Sequence, residues 1–303
     1  IGCLNALISA SFEWNEVWER FDGLELGLLM AGALEGYKVI DLTTMIAGPF
    51  ATMLLGDQGA DVIKVEIRGR GDHVRATANR QGGFSASFLN NNRNKRSITL
   101  DLKQPEGRDV LHRLAASADV LVQNFRPGVV ERLGIGEAEI RAVAPKLIYV
   151  SMSGFGDQGP YVHKPVYDPI IQAVCGLASV QGGGDNLRPR LVRTVVPDKV
   201  TALTASQAIT AALLVRERTG EGQHITLSML GAMVQFLWST DMGGQTFVEQ
   251  PFPQTGVSAF NDLIYTTADG HMAVSIMTDK QWAGLTRALE QSDWLEDPRF
   301  TSP

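Results

Sequence analysis

Tyr37-Lys38-Val39-Ile40-Asp41-Leu42, Gly48-Pro49 and Ala60-Asp61-Val62-Ile63-Lys64-Val65-Glu66 decide the fold. The outer two are short apolar runs rich in β-branched residues, the composition of strands. Between them Phe50 to Gly56 repeats its apolar residues at helical spacing, opened by the Gly-Pro turn. A strand, a helix and a strand in so short a span pair the strands in parallel, through a right-handed crossover. The pattern continues outward. Ser97 to Leu102, Val120 to Asn124 and Leu147 to Ser153 read as strands, and Pro105 to Ala116 as a helix. Short helices are expected at Val129 to Leu133 and Glu137 to Ala144. The alternation predicts an α/β protein with a Rossmann-like, doubly wound parallel sheet.

Farther along, the texture changes. Thr201 to Arg218 is a long Ala-rich helix closed by Gly220, followed by a strand at Gln223 to Leu227 and a helix at Leu230 to Trp238. Met242 to Phe260, rich in Gly, Gln and Pro, reads as a linker. Leu263 to Thr267 and Met272 to Ile276 flank Asp269-Gly270, a strong hairpin signal, and Lys280 to Glu290 reads as a helix. The expected organisation is an extension over residues 1–29, a large domain over 30–249 and a smaller α+β domain starting at 250. Met30-Ala31-Gly32 would make a natural start. Phe300-Thr301-Ser302-Pro303 ends the chain without a closing element, so a returning C-terminal segment is expected to be missing.

Composition narrows the function. The formal charge of −6 over 303 residues argues against a nucleic-acid partner, which needs a basic footprint. No apolar run reaches about 18 residues, so no membrane span is expected. Cys3 and Cys175 stand far apart in no metal-ligand spacing, which fits a reducing cytoplasm and no metal site. The histidines His73, His112, His163, His224 and His271 are scattered, and no Ser sits in G-x-S-x-G, which disfavours metallohydrolase and triad chemistry.

Five segments remain as candidates, each with a plain structural reading beside the functional one. Ala47-Gly48-Pro49 follows the first strand, where ligands bind in doubly wound sheets; Gly48 would let a ligand reach the backbone, or it is simply a turn. Asn90-Asn91-Asn92-Arg93-Asn94-Lys95-Arg96-Ser97 offers three cations for phosphates, or forms a solvated loop. Asn124-Phe125-Arg126-Pro127-Gly128 sits where a switch-point loop belongs. There Phe125 covers a base, or anchors the loop in the core. Asp198, after Val195-Val196-Pro197 at an expected strand end, is a partly buried nucleophile or, more readily on these residues alone, a helix N-cap. Asp168 is an acid/base group or, more readily, an N-cap before Pro169 at the first helical position.

Taken together, the segments resemble the family III CoA-transferases, the group of formyl-CoA and carnitine CoA-transferases and α-methylacyl-CoA racemase. The resemblance runs from about Leu34 to the end. Its text is Val39-Ile40-Asp41-Leu42, Ala47-Gly48-Pro49, Gly59 to Glu66, Asn92 to Ser97, Leu100-Asp101-Leu102-Lys103, Ala118 to Gly128 and Thr219-Gly220-Glu221-Gly222-Gln223. The resemblance implies coenzyme A or acyl-CoA as substrate, a carboxylic acid as its partner, no permanently bound cofactor, and two chains interlocked as a homodimer. It places the catalytic Asp on Asp198, followed by Thr201 at the family's spacing. The coenzyme contacts it implies are Ile46, Ala47, Leu100, Lys103, Asn124, Phe125, Arg126, Arg132 and Tyr167. The family's arginine after the second strand falls on Ile67, with Arg68 one residue later. Tyr167 stands where the racemases carry His, and a phenol is a poor proton-exchange partner at neutral pH. The expected activity is therefore acyl-CoA:carboxylate CoA transfer through an aspartyl-CoA thioester. A 2-methylacyl-CoA racemase and a non-catalytic CoA-binding paralogue are the alternatives. Met242-Gly243-Gly244-Gln245 is a poor match to the family's glycine-rich loop.

Overall fold

The computed structural model describes residues 32–77, 79–183, 187–246 and 263–300. The expected extension over 1–29 and the domain boundary at 250 lie outside the described residues. The chain forms two compact units. One runs through Val166 and takes in Pro197–Ala232; the other joins Tyr167–Val196 to the part from Met233 onward.

In chain order the first unit begins with β1 (Lys38–Asp41), α1 (Ala47–Asp57) and β2 (Asp61–Glu66). A small hairpin of β3 (Arg80–Gln81) and β4 (Phe84–Ser85) leads into α2 (Ala86–Asn92) and β5 (Lys95–Thr99). Then come α3 (Pro105–Ala116), β6 (Val120–Gln123), α4 (Val129–Arg132), α5 (Glu137–Val143) and β7 (Ile148–Ser153). After α6 (Asp168–Val174) and α7 (Leu177–Gly182) of the second unit, the chain returns through α8 (Val196–Thr219) and β8 (His224–Ser228) to α9 (Met229–Trp238). The second unit closes with the antiparallel hairpin β9 (Ile264–Thr266) and β10 (His271–Ala273), then α10 (Asp279–Ala288). No helix among the described residues is long and apolar enough to cross a membrane.

The six long strands form one sheet in the order β5-β2-β1-β6-β7-β8, and every pairing is parallel. This is the doubly wound arrangement the sequence predicts, with its reversal point between β1 and β6. Strand alternation sorts the core onto two faces. Val39, Val62, Val122 and Val150 turn one way, against Ala51 and Leu55 of α1 and Ala205 and Ile209 of α8. Ile40, Leu121 and Tyr149 turn the other way, against Leu111 of α3 and Ile140 of α5.

The direction of α8 matters for the site. Near its end Arg216 Nη2 pairs with Asp119 Oδ1 at 2.8 Å, and its guanidinium lies over the Tyr37 ring. Asp119 and Tyr37 immediately precede β6 and β1, so α8 ends at the amino edge of the sheet. Its 24 residues span about 36 Å, more than a six-residue strand of about 20 Å. The first turn, with Asp198, therefore stands at the carboxyl edge.

Three local readings change. β5 starts at Lys95 and stops at Thr99, not at Leu102: Leu100 N–H makes the last ladder bond, to Glu66 O at the end of β2, and Asp101 Oδ1 then accepts from Lys103 N–H in a turn. Asp198 does not follow a strand; helical geometry already begins at Val196. The stretch Asn90–Asn92, expected either in a phosphate-binding turn or in a solvated loop, is the last turn of α2, where Asn91 and Asn92 donate to the carbonyls four residues back.

Candidate active site

The carboxyl ends of β1 and β2 carry a buried net of charges. Asp41, fully buried, accepts from Thr43 N–H at 2.8 Å, Thr52 Oγ1 at 2.9 Å and Lys95 Nζ at 2.9 Å. Lys64, also buried, donates to Thr43 O at 2.9 Å and lies 3.0 Å from Asp72 Oδ2, a charge pair without hydrogen-bond alignment. Glu66 takes a forked pair from Arg75, at 2.8 and 2.6 Å, and accepts from Asp72 N–H and Ser97 Oγ. Three acids thus face three bases, so the cluster is neutral as a whole. Burial pushes both carboxyls up, and their partners outweigh it. Lys95 and Lys64 hold Asp41 well below the usual carboxylate range, and the Arg75 fork brings Glu66 from an ordinary 4.5 to about 2.

Beside this net lies a cavity of about 360 Å³. Its walls come from the carboxyl ends of β1 (Leu42, Thr43, Thr44) and β2 (Val65, Glu66, Ile67) and from the turns after β5 and β6. Leu42, Val65 and Phe125 belong to the core face that carries α3 and α5, which puts the cavity on that side of the sheet. Arg70, His73 and Lys103 line it and are exposed. Arg75, Arg93, Lys95 and Arg96 are all tied to carboxylates. Arg70 and Lys103 have no acidic partner among the described residues. An apolar hollow with unpaired cations at its rim suits a ligand that joins an apolar body to phosphates.

The structure brings some expected site residues together and not others. Leu100, Lys103 and Phe125 all line the cavity. Arg68 is exposed and outside the lining, whereas Arg70, which the sequence reading missed, is inside it. The available signal was the pair Gly69 and Gly71, both at positive φ (91° and 64°), which turns the chain back beside Glu66. A Cβ on Gly71 would meet Glu66 Oε1 at 2.8 Å. Arg126 and Arg132 are exposed near the mouth of the β6 loop, outside the cavity lining. Ile46 precedes α1, and Ala47 is buried in the core against the sheet. Gly48 makes room for the protein rather than for a ligand: a Cβ there would collide with Thr43 Cβ. Asn124 turns its amide onto Thr44, accepting from its N–H at 3.0 Å and donating to its carbonyl at 2.8 Å. Of the three cations in the Asn90–Ser97 run, Lys95 goes inward to Asp41, while Arg93 and Arg96 pair with Asp57 and Asp61.

Asp198 is half-buried in the first turn of α8, on the sheet face opposite the cavity and at the same edge. Thr201, three residues on, is buried and donates from Oγ1 to Pro197 O at 2.6 Å. In the second unit Tyr167 is 66% exposed at the start of α6. Asp168 is buried in that helix's first turn and accepts from Gln172 Nε2 at 2.7 Å.

With this geometry in view, the comparisons are specific. The model of CoA-transferase family III matches residues 34–303. The chain belongs to CoA-transferase family III. Among curated members it is 37% identical over 277 residues to succinyl-CoA:glutarate CoA-transferase of Mus musculus, covering 88% of this chain and 62% of that protein. It is 36% identical over 275 residues to acetyl-CoA:oxalate CoA-transferase of Acetobacter aceti, covering 89% and 70%. The chain thus spans under two thirds of the mouse protein's length. A CAIB/BAIF family protein from Brucella suis superposes with a TM-score of 0.77 at 33% identity, over 90% of this chain and 74% of that one.

Proposed function

We propose that the protein is an acyl-CoA:carboxylate CoA-transferase with Asp198 as nucleophile. The observation that carries this reading is the position of Asp198: a half-buried carboxylate in the first turn of a 24-residue helix, at the edge of the sheet where ligands of doubly wound folds bind. A helix N-terminus favours negative charge, and attack on a thioester needs the ionised carboxylate. The unpaired Arg70 and Lys103 at the same edge support a phosphate-bearing coenzyme. The names of relatives at 36–37% identity support carboxylic acids as the second substrate.

The chemistry balances without a redox step. An oxygen of Asp198 attacks the thioester carbonyl, the C–S bond breaks, and CoA leaves as thiolate from a mixed anhydride. The thiolate attacks the Asp198 carboxyl carbon and releases the donor acid as carboxylate, leaving an aspartyl-CoA thioester. The acceptor carboxylate then repeats both attacks in reverse order. Each tetrahedral oxyanion needs positioned N–H donors, worth about 3–4 kcal/mol apiece in other enzymes. Water must stay out, because hydrolysis would waste the thioester. Coenzyme A enters as substrate, and no resident cofactor takes part in these steps. We place the enzyme as an interlocked homodimer in the cytoplasm, where the buried free thiol of Cys175 stays reduced.

The test is substitution. Asp198→Ala is expected to lower transfer at least about 10³-fold while CoA still binds, and near-normal turnover would refute the assignment. Exchange of an α-proton of 2-methylacyl-CoA into heavy water without acyl transfer would favour the racemase instead.

A further inference from the structure

The loop that leaves β1, Thr43-Thr44-Met45, is tied down by side chains from three other places. Asp41 Oδ1 accepts from Thr43 N–H at 2.8 Å, and Lys64 Nζ donates to Thr43 O at 2.9 Å. Asn124, from the loop after β6, takes both polar groups of Thr44. Asp72 Oδ1 accepts from Met45 N–H at 3.3 Å. Five of the six backbone polar groups of these three residues are thereby held by side chains distant in sequence or buried. Met45 sits at φ 71°, a left-handed conformation that non-glycine residues rarely hold unless their surroundings impose it. Thr43 and Thr44 line the cavity.

Buried backbone groups find partners in backbone, side chains or water; in this loop four of the five bonds come from side chains of other segments of the chain. Here the fold spends two buried lysine–aspartate contacts and a bridging amide on three residues at the reversal point of the sheet. We infer that Asn124, with the Lys64–Asp72 pair behind it, is a positioning residue. It fixes the Thr43–Met45 loop in the shape that receives the coenzyme, rather than gripping the coenzyme itself. Asn124 joins the two loops that border the reversal point, so losing it frees the loop without removing a wall of the cavity. This inference rests on the reading of the cavity as a coenzyme A site, but its first consequence holds in the free protein.

The experiment uses the full chain and Asn124→Ala, with Asn124→Asp as second variant. In Asn124→Asp one oxygen still accepts from Thr44 N–H, while the other oxygen replaces the donor to Thr44 O and repels it. Amide hydrogen exchange in the absence of ligand reports the loop directly. Exchange at Thr44 and Met45 is expected to speed up about tenfold or more in Asn124→Ala, as for the loss of one to two hydrogen bonds, with β6 amides unchanged. Titration with coenzyme A is expected to show affinity about tenfold weaker, and with acyl-CoA substrate the loss should appear in KM and not in kcat. If loop exchange does not change in either variant, the positioning role is refuted whatever the ligand. If the loop loosens and wild-type chain binds no coenzyme A, the reading of the cavity fails, and the loop's role in receiving the coenzyme fails with it. If the loop loosens and coenzyme affinity holds at the wild-type value, Asn124 is structural only and the inference is overturned.

Discussion

At the residue scale the buried charge net sets the terms. Removing Lys95 would leave Asp41 buried without its closest cation, so Lys95→Met is expected to cost about 3–5 kcal/mol in denaturant melts. Glu66 gives a pH signature. Its carboxyl titrates at about 2 in the folded chain and near 4.5 when free of its partners. Its contribution to stability is therefore complete above about pH 4.5 and is lost as pH falls toward 2. The full difference corresponds to roughly 2–3 kcal/mol, allowing for partial solvent screening at Arg75. Glu66→Gln should destabilise the protein at pH 7 and flatten the pH dependence of its melting temperature between 4.5 and 2. An unchanged slope would show that the Arg75 fork does not hold in solution. This net also shows where reading the residues alone falls short. In Asn92-Arg93-Asn94-Lys95-Arg96 all three cations look alike. The alternation of β5 sends Lys95 and Ser97 to the buried acids and Arg96 to the opposite face. Which face is which depends on the register with β2, and that is a long-range fact.

At the element scale most of the fold was legible. β1, α1, β2, α3, β6 and β7 fall within a residue or three of the positions expected from periodicity, because each is a short apolar run closed by Gly, Pro or a polar turn. Reading failed where tertiary contacts override propensity. β5 ends early since its partner β2 ends at Glu66 and the chain turns at Asp101, whose side chain accepts from Lys103 N–H. α8 begins earlier than its Ala-rich stretch, through Val196 and Pro197, and this shifts Asp198 from a strand end into a helix turn. α6 opens at the helix start that Asp168-Pro169 suggests, whereas α7 carries no sequence signal; they are seven- and six-residue helices with Gly176 at φ 92° between them, too short for a periodic pattern. Two predictions belong here. Ile209 is fully buried between α8 and the sheet, so Ile209→Ala should cost about 2–4 kcal/mol by thermal or chemical denaturation. Gly48→Ala should cost at least about 1–3 kcal/mol, since the new methyl would collide with the side chain of Thr43.

At the scale of the molecule, the family and its doubly wound sheet were within reach of the sequence, carried by many ordered motifs. The site was legible in part. Leu100, Lys103 and Phe125 converge on one cavity, but Arg70 replaces Arg68 in its lining, and Asn124 spends its amide on the neighbouring loop. Contacts of that kind are set by loop conformation, which the motif text does not encode. The sheet's own hierarchy is testable: β6 is buried at every residue and flanked by β1 and β7, so its amides should exchange more slowly than those of the edge strand β5.

The most direct test of the account is intact-protein and peptide mass spectrometry after incubation with a panel of acyl-CoAs, with hydroxylamine added to capture activated carboxyl groups. A coenzyme A adduct, and after hydroxylamine a hydroxamate, is expected on the peptide containing Asp198 and on no other carboxylate. Acyl transfer that proceeds with Asp198 unmarked, or with the mark on a different side chain, would contradict it.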